Sequence, residues 1–464
     1  MSVASPTVRI RVNGARGPRG ATGADGIEIS QLTGVSPGAT DLGSFTGDII
    51  PDGSSVKQAL QTVSDRLGPN ATQDIAALTI AATVEGFSTL GYADANDGGG
   101  AEWRVVPVEP THPGKRQSAD GRWWEMVEKT PNVLQFGFVP GVQSSGNDDC
   151  FDSALEYAAG GSLFVPPSST PYYCTRTHII PPGTRLYGAG LYDNRGETIG
   201  LGSVIEAYGA GNPARWTDID GSDLSDFRPL LAAGGNGCSI GHLHLATDAS
   251  DPWSAAWFVP ATTRCGHEFI SLSSGWSEGG VYLDNTWSDR NTTLKALHPD
   301  ITPAAGTVEY NGRGGYLRGR YPLRIQGTTR DPTSGDPGTW EWGWGGVSDS
   351  VFTDEQYRPG GPTVGSGACI KIDGALPGTT ALAAQGITFI RPALRSGNAP
   401  RTVDFGRVAR VEFVGGYGEA PSSATALFAV TSNTGPVYMD GGRYVRVNVA
   451  LDGVDTGLSL DSSN

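Results

Sequence analysis

A six-residue pattern occurs three times near the end of the chain, as ITFIRP from Ile387, VEFVGG from Val411 and VYMDGG from Val437. The starts lie 24 and 26 residues apart, and further short apolar runs fall between them, at 402–406, 426–430 and 447–451. A period in the twenties with two or three short strands per repeat is typical of a solenoid whose coils stack on one another. The pattern therefore predicts an all-β fold, a right-handed parallel β-helix.

An earlier pair of segments also aligns, IGHLHLA from Ile240 and CGHEFIS from Cys265. This alignment sets Gly241 opposite Gly266 and predicts that His242 stacks near His267. We extend the β-helix over 131–464. The segment 285–367 is too long for one turn, so we expect an inserted loop subdomain there.

The composition supports a β-fold with many tight turns. Gly accounts for 68 of 464 residues and charged residues for only 17 %, against about 25 % in typical domains, which argues against a helix bundle. A net charge of −15 disfavours nucleic acid as a partner. No apolar run reaches the roughly 18 residues of a membrane span, so we expect no membrane insertion. Five cysteines without a CxxC motif predict no disulfide framework and synthesis in a reducing cytoplasm.

The stretch from Asn132 carries an ordered series of motifs: Phe136-Gly137, Asp148-Asp149, a predicted helix from Phe151 to Ala159, Gly160-Gly161, Phe164-Val165-Pro166, Tyr172-Tyr173 and 182–190. This series resembles the opening of the pectate-lyase-superfamily β-helices of bacteriophage tailspikes. Gly146-Asn147 departs from the Gly-Asp-Gly that is common there. With the upstream DGGGAEW…QSADGRWWE unit, which is similar to a module of phage tail proteins, the resemblance covers 91–210. It implies a homotrimeric virion spike or fibre.

The amino-terminal part also predicts contacts among three chains. Glycines recur at every third position in NGARGPRGATGADG, and only glycine fits the axis of a collagen triple helix; these are Gly14, Gly17, Gly20, Gly23 and Gly26. A heptad seam follows at Val56, Leu60, Val63 and Leu67, typical of a short coiled coil. An amphipathic helix packed on its own domain is the alternative. We therefore divide this part into a virion-anchoring, collagen-like stem (1–50), a helical segment and linker (51–90) and a small β-module (91–130).

Carboxylates near long turns are the candidates for catalysis. The resemblance implies binding, and in some members cleavage, of bacterial surface polysaccharide. Hydrolysis needs two carboxylates about 5–5.5 Å apart in retaining enzymes or about 6.5–9.5 Å in inverting ones. Coils stacked about 4.8 Å apart can supply either spacing. From a wider set that includes Glu268, Asp289 and Asp354, we select as catalytic candidates Glu278, Asp284, Asp349 and Glu355. Solvated turn residues are the alternative for each.

Three tryptophans alternate in GTWEWGWG, at Trp340, Trp342 and Trp344. Alternation by two places their side chains on one face of a strand. Aromatic faces can hold sugar rings, so we expect these residues to bind glycan. Packing against a neighbouring subunit or the helix wall is the alternative.

A cluster of cysteine and histidine in the two aligned coils suggests a metal site: Cys238, His242, His244, Cys265 and His267. Zinc favours four Cys or His ligands in a closed site. The same similarity follows from the coil repeat alone. We therefore predict no metal and no cofactor.

These features together predict a phage tailspike or tail fibre that binds host surface polysaccharide as a homotrimer. Glycan cleavage, as a glycoside hydrolase or lyase, is left open. The alternative is a purely structural head, neck or baseplate fibre without cleaving activity. We expect the chain to be made in the host cytoplasm and to reside in the virion, attached through its amino-terminal region to tail, baseplate or other virion proteins.

Overall fold

The computed structural model divides the chain into two compact units, Met1–Gly68 and Pro69–Asn464. The residues that it describes all belong to the second unit: 70–190, 202–209, 214–217, 223–247, 253–260, 262–284, 307–327, 346–359, 367–374, 384–395, 399, 401–405, 408–419, 426–430, 437–440, 443–445, 449–451 and 458–460. The collagen-like glycines, the heptad seam and the three alternating tryptophans lie outside these ranges.

An antiparallel sheet precedes the solenoid. Its strands have the order β1-β2-β4-β3, with the bounds β1 Gly86–Ser88, β2 Glu102–Val106, β3 Lys115–Gln117 and β4 Trp123–Met126. A 3-10 helix, Thr72–Ala77, comes before it and a second, Val133–Phe136, after it. Trp124 is fully buried and packs on the Phe87 ring at 4.6 Å, whereas Trp123 is half-buried. Only one residue of this tryptophan pair thus belongs to the core of the module.

Helix α1 spans Ser145–Tyr157, so it starts six residues before the expected Phe151. Ser144 is the reason: its side chain accepts a hydrogen bond from the Asn147 backbone N–H, a typical helix N-cap. Phe151, Ala154 and Leu155 are buried and face the first coil of the solenoid. Within the described ranges no helix has the length and apolar character to cross a membrane.

Three parallel sheets, named I, II and III in the order in which the chain visits them, form the body. Sheet I contains β5 Ser162–Val165, β8 Arg185–Gly188, β13 Ser239–Gly241, β16 Cys265–Glu268, β20 Tyr310–Arg313, β24 Val351–Thr353, β27 Ala384–Ile390, β30 Val408–Val414, β33 Val437–Asp440 and β36 Leu458–Leu460, with β19 Thr307–Val308 and β23 Gly346–Ser348 beside them. Sheet II contains β6 Tyr172–Cys174, β9 Val204–Ala207, β14 His244–Thr247, β17 Ser271–Leu272, β21 Tyr316–Gly319, β25 Gln356–Pro359, β28 Ala393–Arg395, β31 Tyr417–Glu419 and β34 Arg443–Val445.

Sheet III contains β7 His178–Ile180, β12 Pro229–Ala233, β15 Ala255–Pro260, β18 Gly279–Asp284, β22 Leu323–Gly327, β26 Ile370–Gly374, β29 Arg401–Phe405, β32 Ala426–Val430 and β35 Val449–Leu451. A hairpin of β10 Ala214–Thr217 and β11 Asp223–Phe227 precedes β12. Strands of successive coils pair in parallel in all three sheets. The parallel β-helix predicted from the repeat is thus confirmed.

The register of the last coils is the one that the sequence repeat predicts. Ile387 pairs with Val411, and Val411 with Val437. Beside them, the inward-facing rings of Phe352, Phe389 and Phe413 stack with centroids 5.2 and 4.8 Å apart. Because each coil repeats the same residue type at the same place, the stack fills the core continuously.

The alignment of the earlier pair of segments was wrong by two residues. Gly241 pairs with Glu268, not Gly266, and His267 pairs with Ile240. The His242 ring therefore lies 5.5 Å from Phe269 instead of His267. A shift of two residues leaves the same side chains facing inward, since strand side chains alternate. The hydrophobic pattern could not distinguish the two registers.

The expected insertion over 285–367 needs a similar correction. Val281 pairs with Leu323, and Leu323 with Ile370. Two regular coils, β20–β22 and β24–β26, therefore fall largely within this range. The repeat is longer here because the connections lengthen while the strands keep their pairing. The segments 285–306 and 328–345 lie outside the described residues.

A single left-handed residue turns the chain from sheet I into sheet II in successive coils. Such a conformation is unfavourable for residues other than glycine. The φ values lie between 49 and 65° at this corner: His242, Phe269, Gly314, Asp354, Arg391 and Gly415. At Gly314 a Cβ would come within 2.5 Å of the Phe269 ring. Glycine is thus required there by both backbone conformation and space.

Candidate functional site

The outer face of sheet III carries a group of charged and aromatic side chains near two of the predicted carboxylates, Glu278 and Asp284. Phe258 pairs with Tyr282, Tyr282 with Arg324, and Arg324 with Lys371. Their strand neighbours, such as Val281 and Leu323, face the core, so alternation directs this column outward. Asp284 and Gln326 pair two positions further along the same strands. We call the following residues the sheet III patch: Glu278, Tyr282, Asp284, Tyr321, Arg324, Gln326 and Lys371.

Aromatic rings form one side of this face. Phe227, from the hairpin strand β11, lies 5.0 Å from Phe258 and 5.7 Å from Tyr282, measured between ring centroids. Phe258 and Tyr282 are themselves 5.5 Å apart. All three rings are buried. The hairpin therefore anchors Tyr282 in a fixed position with its hydroxyl directed toward the polar side.

Ionic and hydrogen-bonding groups form the other side. Arg324 Nη1 donates to Glu278 Oε2 at 2.5 Å, and Tyr282 donates its hydroxyl hydrogen to Gln326 Oε1. The Arg324 guanidinium lies 4.9 Å above the Tyr282 ring. Arg324 is only 7 % exposed, whereas the Glu278 side chain is 27 % exposed. A buried cation thus holds a carboxylate that solvent can reach.

Tyr321 extends the patch toward the next coil. Lys371 Nζ lies 4.8 Å from the Tyr321 ring centroid, and the Arg320 guanidinium lies 5.1 Å from it. These distances permit cation–π attraction. The patch therefore combines two carboxylates, an amide, two cations and two phenol rings, all on strands or directly beside them.

Glu278 and Asp284 both belong to the patch, but they lie at opposite ends of β18. Five strand steps of about 3.3 Å separate Gly279 from Asp284, or roughly 16 Å. Glu278 binds Arg324, while Asp284 lies beside Gln326 in the pairing. This arrangement does not match the close pair of carboxylates that glycoside hydrolysis requires.

The other two catalytic candidates are elsewhere. Asp349 is exposed, in the turn between β23 and β24, with a left-handed φ of 46°. Nearby Asp354 forms a two-bond ion pair with Arg391 at 2.6 and 2.7 Å. The hydrogen bond from Arg391 holds the pKa of Asp354 below its ordinary value. These carboxylates lie at turns next to sheet I, so they do not extend the sheet III patch.

Glu355 is 1 % exposed and lies in the core. Its Oε1 accepts a hydrogen bond from His267 Nε2 at 2.8 Å, and Tyr310 donates its hydroxyl to His267 Nδ1 at 2.5 Å. Gly312 and Gly315 leave the space: a Cβ at Gly315 would lie 2.5 Å from Glu355 Oε2. A polysaccharide outside the solenoid cannot reach this carboxylate.

The proposed Cys and His metal cluster does not assemble in the described part of the chain. His267 binds Glu355 and Tyr310, and His244 lies beside Ser271, with Nδ1 and Oγ 3.2 Å apart. Burial, with a smaller effect from Arg318, lowers the pKa of His244 to about 4. All five cysteines are free thiols.

A different group brings possible ligand atoms within 4.8 Å of one another: Asp148, Cys174 and His178. His178 Nε2 faces Asp148 at 3.0 Å, and Nδ1 faces Asp152 at 2.6 Å. Burial disfavours the charged ring, but Cys174, Asp148 and Asp152 more than offset this and hold the pKa of His178 well above its ordinary value. Both ring nitrogens are therefore paired with carboxylates, so neither offers a lone pair to a metal.

Sequence reasoning missed Tyr282, Arg324 and Lys371. A signal was present in the segments VYLD from Val281, LRIQ from Leu323 and IKID from Ile370. Each alternates apolar and polar residues, and the three align in register. The unequal intervals between them concealed the repeat.

No family model matches the sequence, and no curated protein matches it. Among solved structures, the enzymatically active domain of tailspike protein 2 from bacteriophage CBA120 aligns with a TM-score of 0.48 and 10 % identity, over 82 % of this chain and 53 % of that one. A tailspike of Acinetobacter phage vb_AbaP_AS12 aligns with a TM-score of 0.47 and 12 % identity, over 81 % and 57 %.

A tailspike of Acinetobacter baumannii bacteriophage Fri1, described as a capsular polysaccharide depolymerase, aligns with a TM-score of 0.46 and 11 % identity, over 81 % and 69 %. The chain thus spans about half the length of the first of these structures. At such identities the likeness is one of fold.

Proposed function

We propose that this chain is the body of a phage tailspike or tail fibre that binds host surface polysaccharide as a homotrimer. The observation that carries the proposal is the sheet III patch, where buried Arg324 holds the partly exposed carboxylate of Glu278 beside the rings of Tyr282 and Tyr321. The Glu278 carboxylate can accept hydrogen bonds from sugar hydroxyls. Its side chain is 27 % exposed, so a sugar can reach it, whereas Tyr282, Tyr321 and Gln326 are buried behind it and hold Arg324 in place.

The rigidity of the patch also supports binding. Its side chains lie on or beside strands β18, β22 and β26. Strand β22 pairs with β18 on one side and with β26 on the other, and β18 also pairs with β15. Groups held in place before binding lose little entropy when the ligand arrives. An extended glycan laid along the solenoid would meet several coils at once.

Binding is favoured over cleavage by the positions of the catalytic candidates. Glu278 and Asp284 lie at opposite ends of β18, Asp349 lies at an exposed turn, and Glu355 is buried in the core. Among the residues that are described, these four provide no acid and base facing one bond. Location in the virion and attachment through the amino-terminal region belong to the same proposal.

The test is to incubate purified protein with polysaccharide extracted from the host surface. The length of the polysaccharide chain is then followed by chromatography, and free reducing ends are assayed in parallel. We expect the intact polymer to co-elute with the protein. We also expect Glu278→Gln to weaken binding roughly tenfold, about 1.4 kcal/mol, because Arg324 loses its charged partner and the ligand loses a strong acceptor.

Glu268→Gln is the matched control. Glu268 also pairs with arginines, Arg185 at 3.5 Å and Arg313 at 3.7 Å, but it lies on sheet I. Equal losses in both variants would show that the patch is not the contact. Shortened polymer with new reducing ends would make the protein a depolymerase, and absence of both binding and cleavage would favour a purely structural fibre.

A further inference from the structure

A concave surface lies at the junction of the antiparallel sheet and the first coil. It has a volume of about 500 Å³, within the range of roughly 300–1,000 Å³ typical of small-molecule sites. Its walls include Arg104, His112 and Glu125 from one side, and Tyr157 and 158–161 from the end of α1 on the other. We call it the junction cleft. It is separate in sequence and structure from the sheet III patch.

A connected polar network forms one wall of the junction cleft. Arg104 donates to Glu125 Oε2 from Nε at 2.9 Å and from Nη2 at 2.6 Å. His112 Nε2 donates to Glu125 Oε1 at 2.9 Å. The hydrogen bond from His112 and the ion pair with Arg104 outweigh burial and hold the pKa of Glu125 below its ordinary value. The wall is therefore charged, internally paired and fixed in orientation.

Tyr157 contributes an aromatic ring to the lining, next to His112. The Tyr157 ring lies 5.0 Å from the His112 ring at 75° and 5.5 Å from Phe136. Its hydroxyl donates to the Met126 carbonyl at 2.8 Å. Burial, with Glu125 and Glu128, raises the pKa of Tyr157 to about 12. The phenol thus stays neutral at physiological pH, and its ring is held in place by the bond to the main chain.

The charges around the junction cleft balance. Arg104 and Lys129 are matched by Glu125 and Glu128. Such a lining has no net preference for a charged ligand, yet it is rich in donors and acceptors that sugar hydroxyls can use. At Gly160, a Cβ would meet nothing within 4 Å, so the main chain is open to a ligand on that side.

We propose that the junction cleft binds a short segment of neutral oligosaccharide. The choice of a saccharide rests on the proposed function, whereas the preference for an uncharged one rests on the balanced lining. The bound sugar lies with one face toward Tyr157 and its hydroxyls toward the Arg104–Glu125–His112 network.

The methionines supply a direct readout. The chain contains only three, Met1, Met126 and Met439, and Met126 lines the junction cleft. Protein labelled with ¹³C at the methionine methyl groups is titrated with maltohexaose, cellohexaose, a β-1,4-galactohexaose and, for charge, hexagalacturonate. At least one neutral sugar is expected to shift the Met126 signal saturably and leave that of Met439 unmoved. Raising the salt concentration should not weaken this binding, because no net charge is neutralised.

Glu125→Gln is expected to weaken that binding roughly tenfold, since Arg104 and His112 lose their common partner. Glu109→Gln is the control. Glu109 follows β2 and pairs at 2.7 Å with Lys115 on β3, and neither residue lines the cleft. If Glu125→Gln does not fold, Arg104→Gln replaces it; the Arg104 side chain is 63 % exposed.

Three outcomes would overturn the inference: no Met126 shift with any neutral sugar, a shift with hexagalacturonate alone, or equal affinity in the cleft variants and the control. Failure here is distinguishable from failure of the proposed function. The difference in polysaccharide binding between Glu278→Gln and Glu268→Gln measures the sheet III patch, whereas the Met126 shift measures the junction cleft alone.

Discussion

Glu355 occupies a core position where earlier coils place apolar side chains. It follows the left-handed corner residue Asp354, just as the buried Leu243 and Ile270 follow His242 and Phe269. Its Oε1 accepts a hydrogen bond from His267, two coils earlier in sheet I. Removing the acceptor leaves the buried His267 N–H unsatisfied, which typically costs about 1–3 kcal/mol.

Glu355→Ala is therefore expected to lower the free energy of unfolding by about 1–3 kcal/mol. Urea denaturation followed by tryptophan fluorescence measures this change. Glu268→Ala, which removes a partly exposed carboxylate 3.5 Å or more from its arginines, should cost less than about 1 kcal/mol. Equal effects of the two substitutions would contradict a structural role for the hydrogen bond between Glu355 and His267 in the core.

At the scale of elements, helix α1 closes the open end of the β-helix. Phe151 packs against the His178 ring at 4.7 Å, and His178 begins the inward column of sheet III that continues with Leu231 and Trp257. On the helix, Asp148 pairs with Nε2 of that ring and Asp152 pairs with Nδ1. The cap thus joins helix to coil through an ionic contact surrounded by apolar packing.

The pKa directions set the pH range in which this contact stabilises the cap. Burial would raise the pKa of Asp148 and Asp152, but His178 outweighs it and lowers both below the ordinary 3.8. Their contribution is complete above about pH 4 and is lost as the pH falls through the lowered values. The contribution of His178 is complete below its ordinary 6.5 and is lost only as the pH rises through its raised folded value.

Hydrogen exchange of the peptide covering 145–157, corrected for intrinsic rates, is expected to show constant protection from about pH 5 to pH 7 and a loss below about pH 4. Asp152→Asn should reduce protection throughout the plateau. A steady decline of protection between pH 5 and 7 would mean that His178 titrates there and that its contact with Asp148 and Asp152 is not ionic.

At the scale of the whole molecule, the amino-terminal glycine period and heptad seam predict three chains in one particle. Light scattering of the purified protein should give three times the chain mass of 48.3 kDa. The physical reason is that a collagen-like segment needs three strands around its glycine axis. A mass of one or two chains would exclude the trimer and, with it, the tailspike arrangement proposed above.

The fold was predictable because it depends on periodicity. Ile387, Val411 and Val437 recur at intervals that differ by only two residues, and glycines lie between them in the sequence. The motifs from Phe136 onward likewise predicted a capped first coil. Where connections lengthen, as between Val281 and Leu323, the interval no longer signals the coil, and the sequence pattern predicts an insertion instead of the regular pairing.

The sequence by itself determined the parallel β-helix, its repeat and its acidic character, since these follow from alternation, turn residues and composition. Only the tertiary structure decided which carboxylates face solvent. Glu278, Asp284, Asp349 and Glu355 look alike in the chain, yet one is held at a surface by Arg324 and another is buried against His267. Their neighbours come from other coils, and coil lengths vary with the turns, so the contacts depend on a register that local sequence does not specify.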